Sequence, residues 1–118
     1  MILSLILACS NNLEVRSNKE NYIVRRSTVG FPLNEQFSFA FEIFDTDDEP
    51  VIPDEVVVDA EMPAHGHGMG QTPTVSNTDN AYTAEGMLFA MEGDWDIHIY
   101  MTQDGAVDQA TYSVVCCE

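Results

Sequence analysis

Gln36–Phe44 reads QFSFAFEIF, and its apolar and polar residues alternate almost without a break. Successive side chains of an extended chain point to opposite sides. Phe37, Phe39, Phe41 and Ile43 therefore fall on one face, and Ser38, Ala40 and Glu42 on the other. A helix would scatter those phenylalanines around its axis, whereas a half-buried strand collects them. Working outward, Tyr22–Ser27, Glu55–Met62, Met87–Met91, Asp94–Met101 and Ala106–Val115 are predicted strands, because β-branched or aromatic residues concentrate in them and turn residues separate them. Shorter pieces around Thr74 and Tyr82 are expected to pair as well. DTDDEPVIPDE, residues 45–55, is a proline-containing acidic loop, while EGD at 92–94 and QDG at 103–105 read as tight hairpins. No segment holds a helical period over a useful length. The pattern predicts an all-β, antiparallel, immunoglobulin-like β-sandwich of about seven strands. Its core would come from Phe37, Phe39, Phe41, Val56, Val58, Phe89, Trp95, Ile97, Ile99 and the inward face of the last strand.

A chain of 118 residues is one domain by size. Twenty acidic residues against four basic ones give a formal charge of -16. That charge repels phosphate backbones and anionic lipid headgroups, so nucleic acid is excluded as a partner. Most of it is expected on a solvated surface, where its field would also gather cations.

The first residues, MILSLILAC, form an apolar run too short to span a bilayer but of the length of a signal-peptide apolar region. Ile6, Leu7, Ala8 and Cys9 resemble the lipobox of bacterial lipoproteins, although no Lys or Arg precedes the run. The resemblance implies a signal peptide over 1–8, acylation of the Cys9 thiol, and a membrane-anchored location in the cell envelope, facing the periplasm or the exterior. The polar stretch SNNLEVRSNKE then reads as part of a tether over 9–20, followed by a folded domain over 21–118. Cys116 and Cys117 leave several states open: a vicinal disulfide, free thiols, pairing between molecules, thiolates on a metal, or a loose tail without a role.

Chemistry concentrates in MPAHGHGM, residues 62–69. Thioether and imidazole together are the ligand set of a soft metal, above all Cu(I), and the donors here are Met62, His65, His67 and Met69. In an extended backbone His65, His67 and Met69 would share one side. The plainer reading is a turn that holds two histidines, with the methionines as core filler. Downstream, Met87, Phe89 and Met91 are expected on one strand face, and a hairpin at Glu92–Asp94 would fold Trp95 back near Met91. Met91 is thus a further candidate donor, Trp95 a central core aromatic, and His98 a surface or edge residue on the opposite face.

The two segments MPAHGHGMGQTPTV, residues 62–75, and MLFAMEGDWDIHI, residues 87–99, together resemble the YtkA-like domain family, which is related to the FixH proteins. Met62, Pro63, His65, Gly66, His67, Gly68, Pro73, Val75, Tyr82, Gly86, Phe89, Met91, Gly93 and Trp95 carry the likeness. It implies a β-sandwich over 21–118 in an envelope protein that binds copper and, in the FixH branch, a tie to haem-copper oxidase assembly. A metal-binding loop of this kind suits a chaperone, a buffer or an accessory that gives its ion to a copper-receiving envelope protein. No nucleophile elbow, HExxH or phosphate loop is present, so an enzyme is not expected. The alternative is a structural or interaction module in which the loop is only a rigid turn.

Overall fold

The alternation that begins at Phe37 becomes strand β3, Phe37–Phe44, at the centre of a five-stranded sheet. The computed structural model describes residues 13–117. The other strands are β1 (Glu14–Arg16), β2 (Ile23–Arg26), β4 (Glu55–Met62), β5 (His67–Gly68), β6 (Thr74–Thr78), β7 (Ala81–Met87), β8 (Gly93–Gln103) and β9 (Ala106–Cys116). One sheet runs β1-β2-β3-β7-β6 and the other β5-β4-β8-β9, and every pairing is antiparallel. The molecule is an all-β sandwich. Among the described residues no helix is long and apolar enough to cross a membrane.

Burial follows the two-residue period in the long strands. On β3, Phe39, Phe41 and Ile43 are buried; on β4, Val58, Ala60 and Met62; on β8, Trp95, Ile97, Ile99 and Met101. These faces meet in one apolar cluster, into which Phe37 and Val56 pack more loosely. Contact between the layers is direct. The Phe39 ring of β3 meets the Tyr112 ring of β9 edge-on at 5.9 Å, and the Tyr112 hydroxyl lies 2.9 Å from both the Val24 and Leu13 carbonyls. Fully burying each large aliphatic or aromatic side chain is worth about 1.5–3 kcal/mol, so this shared face is the main source of stability.

The QDG turn is where the sequence placed it. Gln103 pairs with Ala106, and Asp104 and Gly105 both take positive φ, 52° and 81°, as a two-residue type I′ hairpin requires.

Three expectations need correction. Nine strands are present among the described residues where about seven were expected, the additions being the three-residue β1 and the two-residue β5. Met87–Met91 is not a strand, and EGD is not a hairpin. β7 ends at Met87 in the five-stranded sheet, while β8 starts at Gly93 in the other, so residues 88–92 must leave the ladder and cross between the layers.

The third correction concerns the tether. Glu14, Val15 and Arg16 pair with Arg25, Val24 and Ile23, so the expected tether over 9–20 is folded from β1 onward and the domain starts ahead of residue 21. What holds it is hydrogen bonding that composition does not reveal. The Asn18 amide donates to the Gln109 carbonyl at 2.8 Å, and buried Asp108 accepts from the Lys19 and Asn21 amides at 2.9 and 3.3 Å. The expected signal peptide, 1–8, and the acylated Cys9 lie outside the described residues.

Candidate metal centre at the histidine hairpin

MPAHGHGM folds as the hairpin between β4 and β5. Met62 ends β4, residues 63–66 turn, and His67 opens β5, so that Met62 and His67 are direct cross-strand partners, as are Glu61 and Gly68. The Met62 carbonyl accepts from both the His65 and Gly66 amides, at 3.1 and 2.9 Å. Gly66 closes the turn with φ +68°, a left-handed conformation that costs glycine little and other residues more.

This turn corrects the expected donor geometry. His65, His67 and Met69 would share one side only along a continuous strand, and the turn breaks the two-residue period at Gly66. His65 is left exposed in the turn, with its ring centroid 5.9 Å from that of His67. His67 and Met69 remain two apart across Gly68 and both meet core groups. The His67 imidazole lies edge-on to Trp95 at 6.2 Å, and the buried Met69 sulfur accepts the Leu88 amide at 3.4 Å.

Met62 and His67 are a thioether and an imidazole residue that the backbone register sets directly opposite each other. Directly opposed residues of an antiparallel pair put their side chains on the same face, with Cβ atoms roughly 4.5–5.5 Å apart. Met62 is only 1% exposed and His67 is open to solvent, so the pair spans the boundary between core and surface. The Met62 methyl runs along the sheet to β8 and lies 2.8 Å from where a Cβ on Gly93 would be. Gly93 also takes φ +135°, a conformation that residues with a side chain rarely adopt.

Trp95 organises the far side of His67. Its ring stacks on Phe89 at 4.4 Å, and its indole N–H donates to the Met91 carbonyl at 3.0 Å. Trp95 is therefore the core aromatic the sequence suggested. Met91 is not on a strand face with Met87 and Phe89. Those two are fully buried, whereas Met91 sits on the crossover with 41% of its surface exposed. Its position beside Trp95 holds, but through a backbone hydrogen bond and not through a hairpin.

The hairpin thus holds exposed His65 and His67 with Met62 opposite His67, while Met91 is exposed on the crossover with its carbonyl on Trp95, and Met69 is buried. Among the described residues no three His, Cys, Asp or Glu side chains are grouped to hold a metal ion.

The third histidine is differently employed. His98 lies on the outward face of β8, as expected, with Nε2 2.9 Å from Glu61 Oε2 and Nδ1 2.9 Å from both Thr111 Oγ1 and Gln109 Nε2. Both ring nitrogens are occupied. Asp108 was overlooked, although alternation along β9 with Ala110, Tyr112 and Val114 points it inward. Burial alone would raise its carboxyl, but hydrogen bonds from the Ser17 hydroxyl and from the Lys19, Gln109 and Asn21 amides outweigh burial and hold it below its ordinary value.

The family description YtkA-like matches residues 17–100, a span that begins inside the expected tether and contains the whole hairpin, the crossover and Trp95. No curated protein and no solved structure gives a significant match. With well over half of its length covered by that match, the chain belongs to the YtkA-like family.

Proposed function

We propose that the protein binds copper as Cu(I) at the histidine hairpin and acts as a carrier or buffer in the bacterial cell envelope, not as an enzyme. The cross-strand pairing of Met62 with His67 carries this reading, because it fixes a thioether beside an imidazole on one face. Imidazole supplies affinity and thioether selects a soft ion over hard ones. His65, on the same turn, is the second nitrogen donor, and exposed Met91 is a further sulfur on the Trp95 side. A site at the rim, with one donor rooted in the core and the others in solvent, can release its ion to a receiving envelope protein, oxidase assembly being one such use. The negative surface favours cation approach.

The test is competition for Cu(I) against a chromophoric chelator under anaerobic conditions, with the wild type, His65→Ala, His67→Ala and Met62→Leu. The reading requires tight binding by the wild type that each substitution weakens, His67→Ala most. A wild type that does not compete, or a His67→Ala variant of unchanged affinity, overturns it and leaves the hairpin a rigid turn in a structural module. Anchoring through Cys9 is tested separately: Cys9→Ser should release the protein from membranes, and continued membrane association of that variant removes the lipoprotein part of the proposal.

A further inference from the structure

Cys116 and Cys117 lie beyond the matched family span, yet the sheet brings Cys116 to the strand pair that the Met62 methyl reaches. Cys116 is the direct cross-strand partner of Gly93, so its side chain shares the face over which the Met62 methyl lies. Met62 therefore connects two places: across the β4–β5 pair it faces His67, and along its side chain it reaches the Gly93–Cys116 pair. Cys116 is 4% exposed, Cys117 is half-buried against the core, and the two sulfurs are in direct contact, placed to join as a vicinal disulfide. As a disulfide they offer a metal little. As thiolates they are the softest donors in the chain.

We propose that Cys116 and Cys117 form a second soft-metal site, gated by redox state, with the Met62 thioether as its neighbour. The proposal rests on the reading of the His67 side as a Cu(I) site and adds a destination further along the sheet. Opening the gate takes two electrons and two protons from an envelope dithiol. One thiolate of that dithiol attacks Cys117 Sγ, the more exposed sulfur; the Cys116–Cys117 bond breaks, and Cys116 leaves as a thiolate that takes a proton. The dithiol's second thiol then displaces Cys117 from the mixed disulfide, so the reductant ends as a disulfide and the pair as two thiols. Cu(I) binding releases both thiol protons to solvent. Exchange of the emptied pair with an envelope disulfide, which takes the two electrons and two protons and ends as a dithiol, restores the Cys116–Cys117 bond. The ion is thus accepted at the open His67 rim in either state and held at the cysteines only in the reduced one.

The experiment uses the full chain with Cys9→Ser, so that Cys116 and Cys117 are the only thiols of the three present. Disulfide and reduced forms are titrated anaerobically with Cu(I) against a chelator while the thiolate-to-Cu(I) ultraviolet band is followed. Reduction should add about one equivalent of bound Cu(I) together with that band, as expected of a soft thiolate pair. Cys116→Ser with Cys117→Ser should remove both and leave binding by the disulfide form intact. Met62→Leu should weaken the added equivalent roughly tenfold. Equal binding by both forms without the band overturns the proposal, as does an added equivalent that Met62→Leu leaves untouched, since that marks the thiols of a tail acting alone. His67→Ala separates the two readings. Loss of binding by its disulfide form with the reduction-dependent equivalent retained supports both sites, whereas binding by the wild-type disulfide form without any reduction-dependent equivalent supports the His67 site and ends this one.

Discussion

Met62 and His67 face each other across the β4–β5 pair, one side chain sealed in the core and the other open to water. The four residues between them, 63–66, form the turn, so the pairing register is set locally, by hydrogen bonds to the Met62 carbonyl and by the left-handed Gly66. On the proposed reading, the same register makes Met62 a donor whose loss should affect both folding and ligand binding. Substitutions can separate those effects.

Met62→Leu keeps most of the buried volume and should cost less than about 1.5 kcal/mol, whereas Met62→Ala should cost about 2–5 kcal/mol through the cavity it leaves. His67→Ala, at an exposed position, should stay within about 0.5 kcal/mol of the wild type. Urea unfolding gives all three values. Chelator competition should show Met62→Leu and His67→Ala both weakening Cu(I) binding by roughly tenfold or more. A Met62→Leu variant of full stability and full affinity would remove the thioether from the site.

Trp95 is the single tryptophan, and the His67 ring lies 6.2 Å from it. Its fluorescence should therefore report occupancy of the hairpin site. Cu(I) addition is expected to change the emission of the wild type and not that of His67→Ala. The same change in both proteins would place the ion elsewhere.

Asp108 ties the segment around Ser17–Tyr22 to β9 through hydrogen bonds from the Lys19 and Asn21 amides, and accepts a third from the Gln109 amide of β9 itself. Its folded pKa is depressed below the ordinary 3.8, so the stability it contributes is present above that value and is lost as pH falls through the lower folded pKa. Asp108→Asn places an amide group against three N–H donors and should destabilise the fold by about 1–3 kcal/mol at neutral pH. The variant should also lose part of the stability decline between neutral and strongly acidic pH. Urea unfolding at a series of pH values measures both.

Tyr112 places its hydroxyl 2.9 Å from the Leu13 and Val24 carbonyls, fastening β1 and β2 to the opposite sheet. Burial raises its pKa, so the group stays a neutral donor at all ordinary pH values. Tyr112→Phe keeps the ring against Phe39 but leaves a buried carbonyl without its donor, at a cost of about 1–3 kcal/mol. Amide exchange should accelerate first in β1 and β2. Uniform acceleration over both sheets would show that the hydroxyl does not act locally.

How far the sequence could be read depended on the range of the forces involved. Gln36–Phe44 declared its strand because alternation is a property of neighbouring residues, and QDG declared its hairpin because Asp104 and Gly105 are residue types that accept positive φ. Tyr22–Ser27, Glu55–Met62 and Ala106–Val115 were legible for the same reason. Met87–Met91 misled because its alternation is genuine: Met87 and Phe89 are buried, but Met87 is the last residue of β7 and Phe89 lies on the crossover. Local pattern records which side chains seek the core, not which sheet receives the next strand. SNNLEVRSNKE looked like a tether because its partners, Asp108 and Gln109, lie some ninety residues away.

By itself the sequence determined the fold class, the donor-rich segment and the family likeness, since each is written in residue types and short spacings. The tertiary structure alone decided which of these side chains face one another. A two-residue strand and its four-residue turn separated His65 from the line of His67 and Met69 and set Met62 opposite His67. Gly93 on a distant strand then made room for the Met62 methyl and brought Cys116 alongside. The turn closes the β4–β5 register locally, but the Gly93–Cys116 register is fixed by hydrogen bonds between strands β8 and β9, so no local reading of MPAHGHGM could have supplied that second neighbourhood.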